Sequence, residues 1–385
     1  MKRIYMDHGA TTPMREEVLE AMLPFLGEKY GNPSSLHFFG RESLKALDVA
    51  REKTASCLGC APEEILFTSG GTEANNLAII GVAKGSPPGK NHIITSAVEH
   101  HAVLDTVKFL GKSGYDITIL PVDEYGMVSP QQVEDAITEQ TILVSIMTAN
   151  NEVGTIMPFE EIGGVCREKG VYFHTDAVQA IGHIHFNLQS QPIDFLSLSA
   201  HKFYGPKGVG VLYQRRKTKL EQICYGGGQE RKLRPGTENM PGIVGLGKAI
   251  ELAVANMPAN REKLLRLRDQ LIPGLLRIGD VRLNGHPEKR LPGNINVSVL
   301  FVEGESLLLH LDLKGIALSS GSACTAGSLD PSHVLLAMGL DHQTAQGSLR
   351  FTLGRDNTPE DIDYTLEAVR ETAHNLRAMS PIYRK

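Results

Sequence analysis

The stretch FLSLSAHKFYGPKGVGVLY (residues 195–213) holds two short apolar runs, FLSLSA (195–200) and GVGVLY (208–213). Each run has the length and composition of a β-strand, and a lysine, Lys202, follows the first one. The segment between them is too short for a crossover helix, which a parallel pair would need. We therefore expect the second strand to run antiparallel to its neighbours.

Upstream of this pair, short strand-like runs alternate with amphipathic helical stretches. The other predicted strands are 64–69, 92–96, 116–122, 142–147 and 171–176. The helical stretches between them include 71–83, 100–112, 130–138 and 159–169. Strands and helices in alternation are typical of a mostly parallel sheet with helices on both faces. The chain is therefore predicted to be an α/β protein with a mostly parallel seven-stranded sheet.

The rest of the chain has a different pattern. After the polar, glycine-rich segment GGGQERKLRPGTEN (226–239), two long helical patterns follow at 241–256 and 261–278. Strands are then predicted at 294–300, 315–320 and 347–353, with helices at 304–313 and 358–378. This mixture predicts a smaller α+β domain of residues 1–14 and 259–385. The large domain would span residues 15–258.

The composition narrows the class of protein. Of the 385 residues, 41% are hydrophobic, and the net charge of −5 arises from interspersed acids and bases. The sequence therefore has no concentration of positive charge of the kind that binds nucleic acid, and we expect no direct nucleic-acid partner. No apolar run reaches the roughly 18 residues of a membrane span, and the N-terminus lacks a signal-peptide pattern. We therefore expect a cytoplasmic protein without a membrane anchor.

The five cysteines do not form a disulfide framework, as expected for a reducing compartment. Cys57 and Cys60 have CxxC spacing, but the sequence offers no second CxxC to complete a zinc site. The pair closes a helical pattern. A role as small buried residues at a helix end is therefore favoured over a redox role.

Polar clusters follow several of the predicted strands at the edge where their carboxyl ends meet. The clusters are Ser69–Glu73, Glu99–His100, Asn150–Glu152, His174–Gln179 and Ser199–Lys202. Open α/β sheets bind ligands at this edge. The first cluster lies at a strand-to-helix junction, where free N–H groups and the helix dipole favour an anion. A phosphate, a ring nitrogen that needs a counter-ion and an aldehyde that reacts with lysine are the features of pyridoxal 5′-phosphate.

The sequence also resembles the NifS/IscS group of cysteine desulfurases, which are class V aminotransferase-type enzymes. The similarity extends over essentially the whole chain. The segments that carry it are ATTP (10–13), GNPSSLH (31–37), FTSGGTEANN (67–76), EHHAV (99–103), ANNEVGT (149–155), HTDAVQA (174–180), SAHKFYGPKGVG (199–210), RPGTEN (234–239), SSGSACTAGSLDPSHV (319–334) and RFTLGR (350–355). The resemblance implies the fold-type I architecture of pyridoxal-phosphate-dependent transferases.

The resemblance also implies roles for individual residues. Lys202 would hold the cofactor as a Schiff base and move the proton at the substrate Cα. Asp176 would pair with the ring nitrogen, Gln179 would contact the ring hydroxyl, and His100 would stack on the ring and act in acid–base chemistry. The phosphate would be held by Gly71, Thr72, Ser199 and His201.

Substrate and subunit contacts are implied in the same way. Arg350 would bind the substrate α-carboxylate, for which the planar guanidinium is well suited, and Asn151 would contact the ring or the substrate. Thr237 would reach the cofactor phosphate of a second subunit, so a homodimer is expected. The sequence departs from many relatives at His8, Gly9 and Thr148, which affects the expected contacts on the substrate side.

The stretch SSGSACTAGS (319–328) places Cys324 among small residues. A thiolate is the natural nucleophile for a cysteine sulfur, and Cys324 would take that sulfur from L-cysteine as a persulfide. It must then pass the sulfur to an acceptor, which a small-residue loop permits. The length of the loop resembles the form that hands sulfur directly to an iron–sulfur scaffold. A transient iron–sulfur cluster shared through Cys324 is compatible with this analogy.

Three alternatives remain open from the sequence. A fold-type I aminotransferase would need a keto-acid substrate and has no use for Cys324. A selenocysteine lyase differs little in sequence from a desulfurase. An inactive cofactor-binding scaffold or regulator would not need the intact set of Lys202, Asp176, His100, Cys324 and Arg350. The sulfur acceptor could serve iron–sulfur clusters, other sulfur-containing cofactors or tRNA thiolation.

Overall fold

The computed structural model describes residues 3–320, 331–380 and 383. Its largest sheet has seven strands in the order β2-β8-β7-β6-β5-β3-β4. The strands are β2 (Ile65–Thr68), β3 (His92–Ser96), β4 (Asp116–Leu120), β5 (Thr141–Ser145), β6 (Tyr172–Asp176), β7 (Phe195–Ser199) and β8 (Gly210–Gln214). The prediction of a seven-stranded, mostly parallel sheet is therefore confirmed.

The direction of β8 follows from the short connection before it. β8 pairs antiparallel with both β7 and β2, whereas the other neighbours in the sheet pair parallel. Every residue of β3, β5 and β7 is buried, as expected for parallel strands covered on both faces. The antiparallel strand predicted from residues 208–213 is thus confirmed.

Helices cover both faces of this sheet and form two apolar cores. The core on one face includes residues of α3 (Gly71–Lys84) and α4 (His101–Lys112). The opposite core includes residues of the other helices of this region. These helices are α1 (Glu16–Leu26), α2 (Phe38–Leu58), α5 (Pro130–Ala136), α6 (Phe159–Lys169) and α7 (Met240–Ala255).

A second structural unit combines the N-terminal residues with the part of the chain that follows α7. It contains an antiparallel three-stranded sheet in the order β12-β10-β9 and a small parallel pair of β1 with β11. The strands are β1 (Ile4–Tyr5), β9 (Val281–Asn284), β10 (Asn294–Val299), β11 (Ile316–Ala317) and β12 (Ser348–Thr352). The helices are α8 (Met257–Leu276), α9 (Gly304–Leu313), α10 (His333–Ala337), α11 (His342–Gln346) and α12 (Pro359–Met379).

The strand predicted at 315–320 is shorter than expected. Only Ile316–Ala317 form a strand, because the partner strand β1 offers two residues for pairing. Ser319 then makes an isolated bridge to Arg350 of β12. β9 had no counterpart among the predicted strands.

The apolar cores indicate two structural units. Their boundaries at 14/15 and 258/259 remain a prediction from the sequence. Ile4 and Met6 share a core with apolar residues between Leu264 and Ala373. The short helices α10 and α11, by contrast, contribute Val334 and Ala345 to the core of the large sheet. This part of the chain therefore joins the two units.

Among the described residues, no helix is both long enough and apolar enough to cross a membrane.

Candidate active site

A cavity of about 310 Å³ lies where the carboxyl ends of β5, β6 and β7 face β12 and the N-terminal residues. Most of the predicted site residues line it. They are Gly71, Thr72, His100, Asn151, Asp176, Gln179, Ser199, His201, Lys202 and Arg350. The structure thus brings together residues that are widely separated along the chain. Thr237 does not line this cavity, and Cys324 lies outside the described residues.

Lys202 stands at the end of a short 3₁₀ turn, Ala200–Lys202, that follows β7 directly. Its Nζ donates to the carbonyl oxygens of Gly9 at 2.5 Å and Ala10 at 2.9 Å. Gln179 Nε2 donates to the same Gly9 carbonyl at 2.9 Å. The N-terminal segment therefore orients the lysine amine at the cavity wall.

Asp176 is the last residue of β6 and is 7% exposed. One carboxylate oxygen accepts from Asn75 Nδ2 at 2.6 Å, and the other accepts from the Val178 backbone N–H at 2.9 Å. Both bonds fix the orientation of the carboxylate. Sequence reasoning missed Asn75, although it lies four residues after Gly71 and therefore on the same face of α3.

The N-terminus of α3 closes another side of the cavity. Its first residues, Gly71 and Thr72, line the space together with Ser199. A Cβ atom on Gly71 would stand 2.6 Å from Val178 Cγ2, so the close approach requires glycine. The unpaired N–H groups and the positive end of the helix dipole favour an anion at this position.

Two histidines whose pKa values are lowered by burial line the cavity. His100 is the N-cap of α4, and its Nδ1 accepts from the Ala102 backbone N–H at 3.1 Å. Burial lowers the pKa of His100 below the ordinary 6.5, although the charge of Asp176 opposes the shift. Burial likewise lowers the pKa of His201 to about 4, and its Nδ1 lies 3.2 Å from Thr11 Oγ1.

Arg350, in β12, is 2% exposed, and its guanidinium makes two hydrogen bonds. Its Nη2 donates to Asp7 Oδ1 at 3.0 Å, and its Nη1 donates to the Asn151 carbonyl oxygen at 3.2 Å. Its buried Nε has no hydrogen-bond partner among the described residues. A buried guanidinium N–H without an acceptor is costly, and a ligand carboxylate would satisfy it.

Asp7 was missed by sequence reasoning. It is separated from Arg350 by 343 positions, and no local pattern links the two residues. Ser319 is also close by, because the Arg350 backbone N–H donates to its carbonyl oxygen at 2.7 Å.

The three departures from the family pattern have separate structural roles. Gly9 offers its backbone carbonyl to Lys202 and Gln179, and a Cβ atom at this position would stand 2.9 Å from Thr352 Cγ2. The ring of His8 packs against Gly354 and does not line the cavity. Thr148 is fully buried, with its Oγ1 2.8 Å from Thr175 Oγ1.

Two buried glutamates lie next to the site. Glu99, before His100, accepts from Ser96 Oγ at 2.7 Å and from the Met147 backbone N–H at 3.0 Å. Burial raises the pKa of Glu99 to about 8 and that of Glu152 to about 7. Glu152 in turn accepts a hydrogen bond from Ser332 Oγ. Sequence reasoning assigned neither residue a role.

The donor set of this cavity fits pyridoxal 5′-phosphate. An amine, a fixed carboxylate and the helix N-terminus that begins at Gly71 stand around one space of suitable size. The amine matches the cofactor aldehyde, the carboxylate matches the ring nitrogen, and the helix N-terminus matches the phosphate. Among the residues that the structure describes, no group of three or more His, Cys, Asp or Glu side chains could hold a metal ion.

Comparisons with known proteins agree with this chemistry. The chain is 55% identical over 381 residues to cysteine desulfurase IscS of Methanosarcina thermophila, covering 99% of this chain and 94% of the relative. A solved NifS-like protein superposes with a TM-score of 0.92 at 42% identity, covering 97% of this chain and 100% of the other. SspA in complex with cysteine superposes with a TM-score of 0.82 at 39% identity, covering 91% of this chain and 99% of the other. The family model for class-V aminotransferases matches residues 4–365. The chain therefore belongs to the class-V aminotransferase family.

Proposed function

We propose that this protein is a pyridoxal-phosphate-dependent cysteine desulfurase that converts L-cysteine to L-alanine and transfers the sulfur to Cys324. The observation that carries the proposal is the meeting of Lys202, Asp176 and the N-terminus of α3 around the cavity that Arg350 also lines. The relatives at about 55% identity, which are named cysteine desulfurases, support the choice of reaction.

The substrate is held by its carboxylate. Arg350 has a buried Nε that lacks a partner among the described residues, and its Nη atoms are oriented by Asp7 and Asn151. A side-on contact through Nε and one Nη would bind the carboxylate in two places. The related structure of SspA was solved with cysteine, which supports an amino acid of this size as substrate.

When bound, pyridoxal phosphate would supply an electron-accepting ring that weakens the bonds at the substrate Cα and polarises its Cβ. Lys202 provides the amine that holds the cofactor and moves the proton at Cα. Asp176 keeps the ring nitrogen protonated, Gln179 contacts the ring hydroxyl, and Ser199, His201, Gly71 and Thr72 bind the phosphate. The neutral ring of His100 can stack on the cofactor and accept or return a proton.

Cys324 receives the sulfur. Its thiolate forms an S–S bond to the substrate sulfur while the Cβ–S bond breaks, and the carbon fragment keeps the electron pair and gains a proton to become alanine. Among the described cysteines, burial raises the pKa values of Cys57, Cys60 and Cys166 to about 11, 12 and 12, so they hold little thiolate near neutral pH.

The persulfide then passes to an acceptor protein. An iron–sulfur scaffold is the partner that we propose, in keeping with the IscS name of the relatives, and a cluster shared transiently through Cys324 would be its cargo. Acceptors for other sulfur-containing cofactors or for tRNA thiolation would use the same persulfide. We expect this transfer to take place in the cytoplasm.

The functional unit is a homodimer. Thr237 is exposed and does not line the cavity of its own chain, which agrees with a contact to the cofactor phosphate of a second copy. The segment 30–39 exposes Tyr30, Leu36 and Phe38 to 71%, 91% and 64%. Such apolar exposure on one segment is typical of a surface that another chain covers.

The test is to supply the cofactor-loaded protein with L-cysteine and a thiol acceptor but without a keto acid. A desulfurase releases alanine and sulfide in equal amounts under these conditions. An aminotransferase gives no sustained turnover, and it would instead need a keto acid to form a new amino acid. Turnover that depends on a keto acid would contradict the proposed desulfurase reaction and indicate an aminotransferase.

A further inference from the structure

The segment 226–239, which carries Thr237, has an unusual backbone. Three consecutive residues other than glycine, Glu230, Arg231 and Lys232, have φ values of 43°, 57° and 68°. Side chains with a Cβ rarely adopt this left-handed region, and a run of three is costly. Such a turn persists only where surrounding contacts hold it.

A buried ion pair holds the first of these residues. Arg51 of α2 donates through Nη2 to Glu230 Oε1 at 2.6 Å and through Nη1 to Oε2 at 3.0 Å. The two side chains are 15% and 3% exposed. Glu230 Oε2 also accepts from the Phe67 backbone N–H at 2.9 Å, and Arg51 Nη1 donates to the Ile65 carbonyl oxygen at 2.7 Å. The pair therefore fastens the turn to both α2 and β2.

A second ion pair holds the segment further along. Arg234 Nε donates to Glu73 Oε1 at 2.9 Å, and Glu73 Oε2 accepts from the Ser69 backbone N–H at 2.6 Å. Glu73 lies in the first turn of α3, the helix whose N-terminus faces the cavity. Both ion pairs thus connect the segment to the strand and helix that form the anion site, while Thr237 itself remains exposed.

The segment shares one face of the molecule with the exposed apolar residues. A cleft of about 720 Å³ is lined by Ser34 of segment 30–39 and by Gly228 and Gln229 of segment 226–239. Glu238, the residue after Thr237, lines the same cleft, so a second copy that covers residues 30–39 would also approach Thr237. Contacts within one chain hold segment 226–239 in place, and the exposed Thr237 is then available to a second chain.

We propose that the Arg51–Glu230 ion pair is a positioning element that acts in trans: it holds the left-handed turn so that Thr237 meets the cofactor phosphate of the second copy. This inference rests on the proposed homodimer with a shared site. Its consequence is specific, because a chain with a broken ion pair should impair the site of its partner and leave its own site intact.

The test uses Glu230→Gln, which keeps the size of the side chain and an acceptor for the Phe67 N–H but removes the charge. The readout is the rate at which cofactor is lost to a scavenger, followed as the amount that borohydride can still trap on Lys202. The Glu230→Gln homodimer should lose cofactor about tenfold faster, because a hydrogen-bonded charge pair is removed. Glu371→Gln, which removes an exposed ion pair with Lys314, is the matched control and should match the wild type.

Heterodimers with two different affinity tags then separate action in trans from action in cis. When Glu230→Gln is paired with Lys202→Ala, the remaining Lys202 site is completed by an intact segment and should release cofactor as slowly as the wild type. When both changes are in one chain and the partner is wild type, the remaining Lys202 site faces the altered segment. That site should release cofactor as fast as the Glu230→Gln homodimer.

The opposite pattern, with fast release from the first heterodimer and slow release from the second, would overturn the inference and leave the dimer intact. Arg51→Lys repeats both pairings from the other side of the ion pair and keeps a cation in place. Light scattering on the wild type distinguishes the two failures, since a monomer would overturn the proposed shared site itself.

Discussion

The two walls of the cavity are built in different ways. One wall consists of residues at the ends of neighbouring strands and at the start of α3, and includes Lys202, Asp176 and Gly71. The other wall includes Arg350, which Asp7 near the N-terminus holds in place. In our proposal the first wall holds the cofactor and the second wall holds the substrate. The two walls should therefore respond differently to mutation.

The largest effect is expected on the cofactor wall. Lys202→Ala removes the amine that holds the cofactor and moves the Cα proton, so turnover should fall by at least about 100-fold. Alanine release from L-cysteine measures the loss, and borohydride should no longer trap cofactor on this chain. Lys207→Ala, an exposed lysine in the same loop, is the control and should behave like the wild type. Substantial turnover in Lys202→Ala would contradict the assignment of this wall.

A smaller and different effect is expected on the substrate wall. Arg350→Lys keeps the charge but loses the planar, two-point contact, so KM for L-cysteine should rise by about tenfold. The visible absorption band of the bound cofactor should be unchanged. Steady-state kinetics and absorption spectra check both statements, with the exposed Arg370→Lys as control. Loss of cofactor without a change in KM would show that the two walls are not separate in function.

Glu99, the buried residue before His100, should affect the stability of the fold more than the rate of turnover. Burial raises the pKa of Glu99 from 4.5 to about 8, and the nearby charge of Asp176 acts in the same direction. A raised acid pKa favours the folded state at low pH, and this contribution is lost as the pH rises from about 4.5 through about 8. Glu99→Gln cannot ionise. Its melting temperature relative to the wild type should therefore increase with pH across this range.

Thermal unfolding of both proteins at several pH values provides the measurement. Glu124→Gln, at an exposed position, should show no such trend. A constant difference between Glu99→Gln and the wild type across the pH range would argue against a buried acid at this position.

The smallest effect is expected away from both walls. Cys57 and Cys60 have thiol pKa values that burial raises to about 11 and 12, and neither residue lines the cavity. Cys57→Ser and Cys60→Ser should each leave alanine and sulfide release unchanged. A large loss of sulfide release in either variant would revive a redox role for the CxxC pair.

The same contrast explains what could be predicted from the sequence. Asp176 and Lys202 follow apolar runs that form parallel strands, and the carboxyl ends of such strands meet at one edge. The brief connection before β8 likewise predicted its antiparallel direction. Asn75 could have been found from the helical spacing to Gly71. These residues depend on local patterns and on the regular geometry of one sheet.

The contacts of Arg350 could not be predicted in this way. Its partner Asp7 lies at the other end of the chain, and the two meet only because the N-terminal residues pair with β11 and approach β12. Arg350 itself was assigned through the family resemblance. The ion pair of Arg51 with Glu230 is equally non-local, since it depends on how the left-handed turn packs against α2 and β2.

The central claim is that sulfur leaves L-cysteine at this cavity and arrives on Cys324. The most direct measurement is brief treatment of the wild type with L-cysteine, followed by mass spectrometry of the peptides that contain its cysteines. The account predicts the added mass of one sulfur atom on the Cys324 peptide of the wild type. Cys324→Ser should show neither this added mass nor sulfide release, although it should still bind the cofactor. Unchanged sulfide release in Cys324→Ser, or a persulfide found only on Cys57 or Cys60, would contradict it.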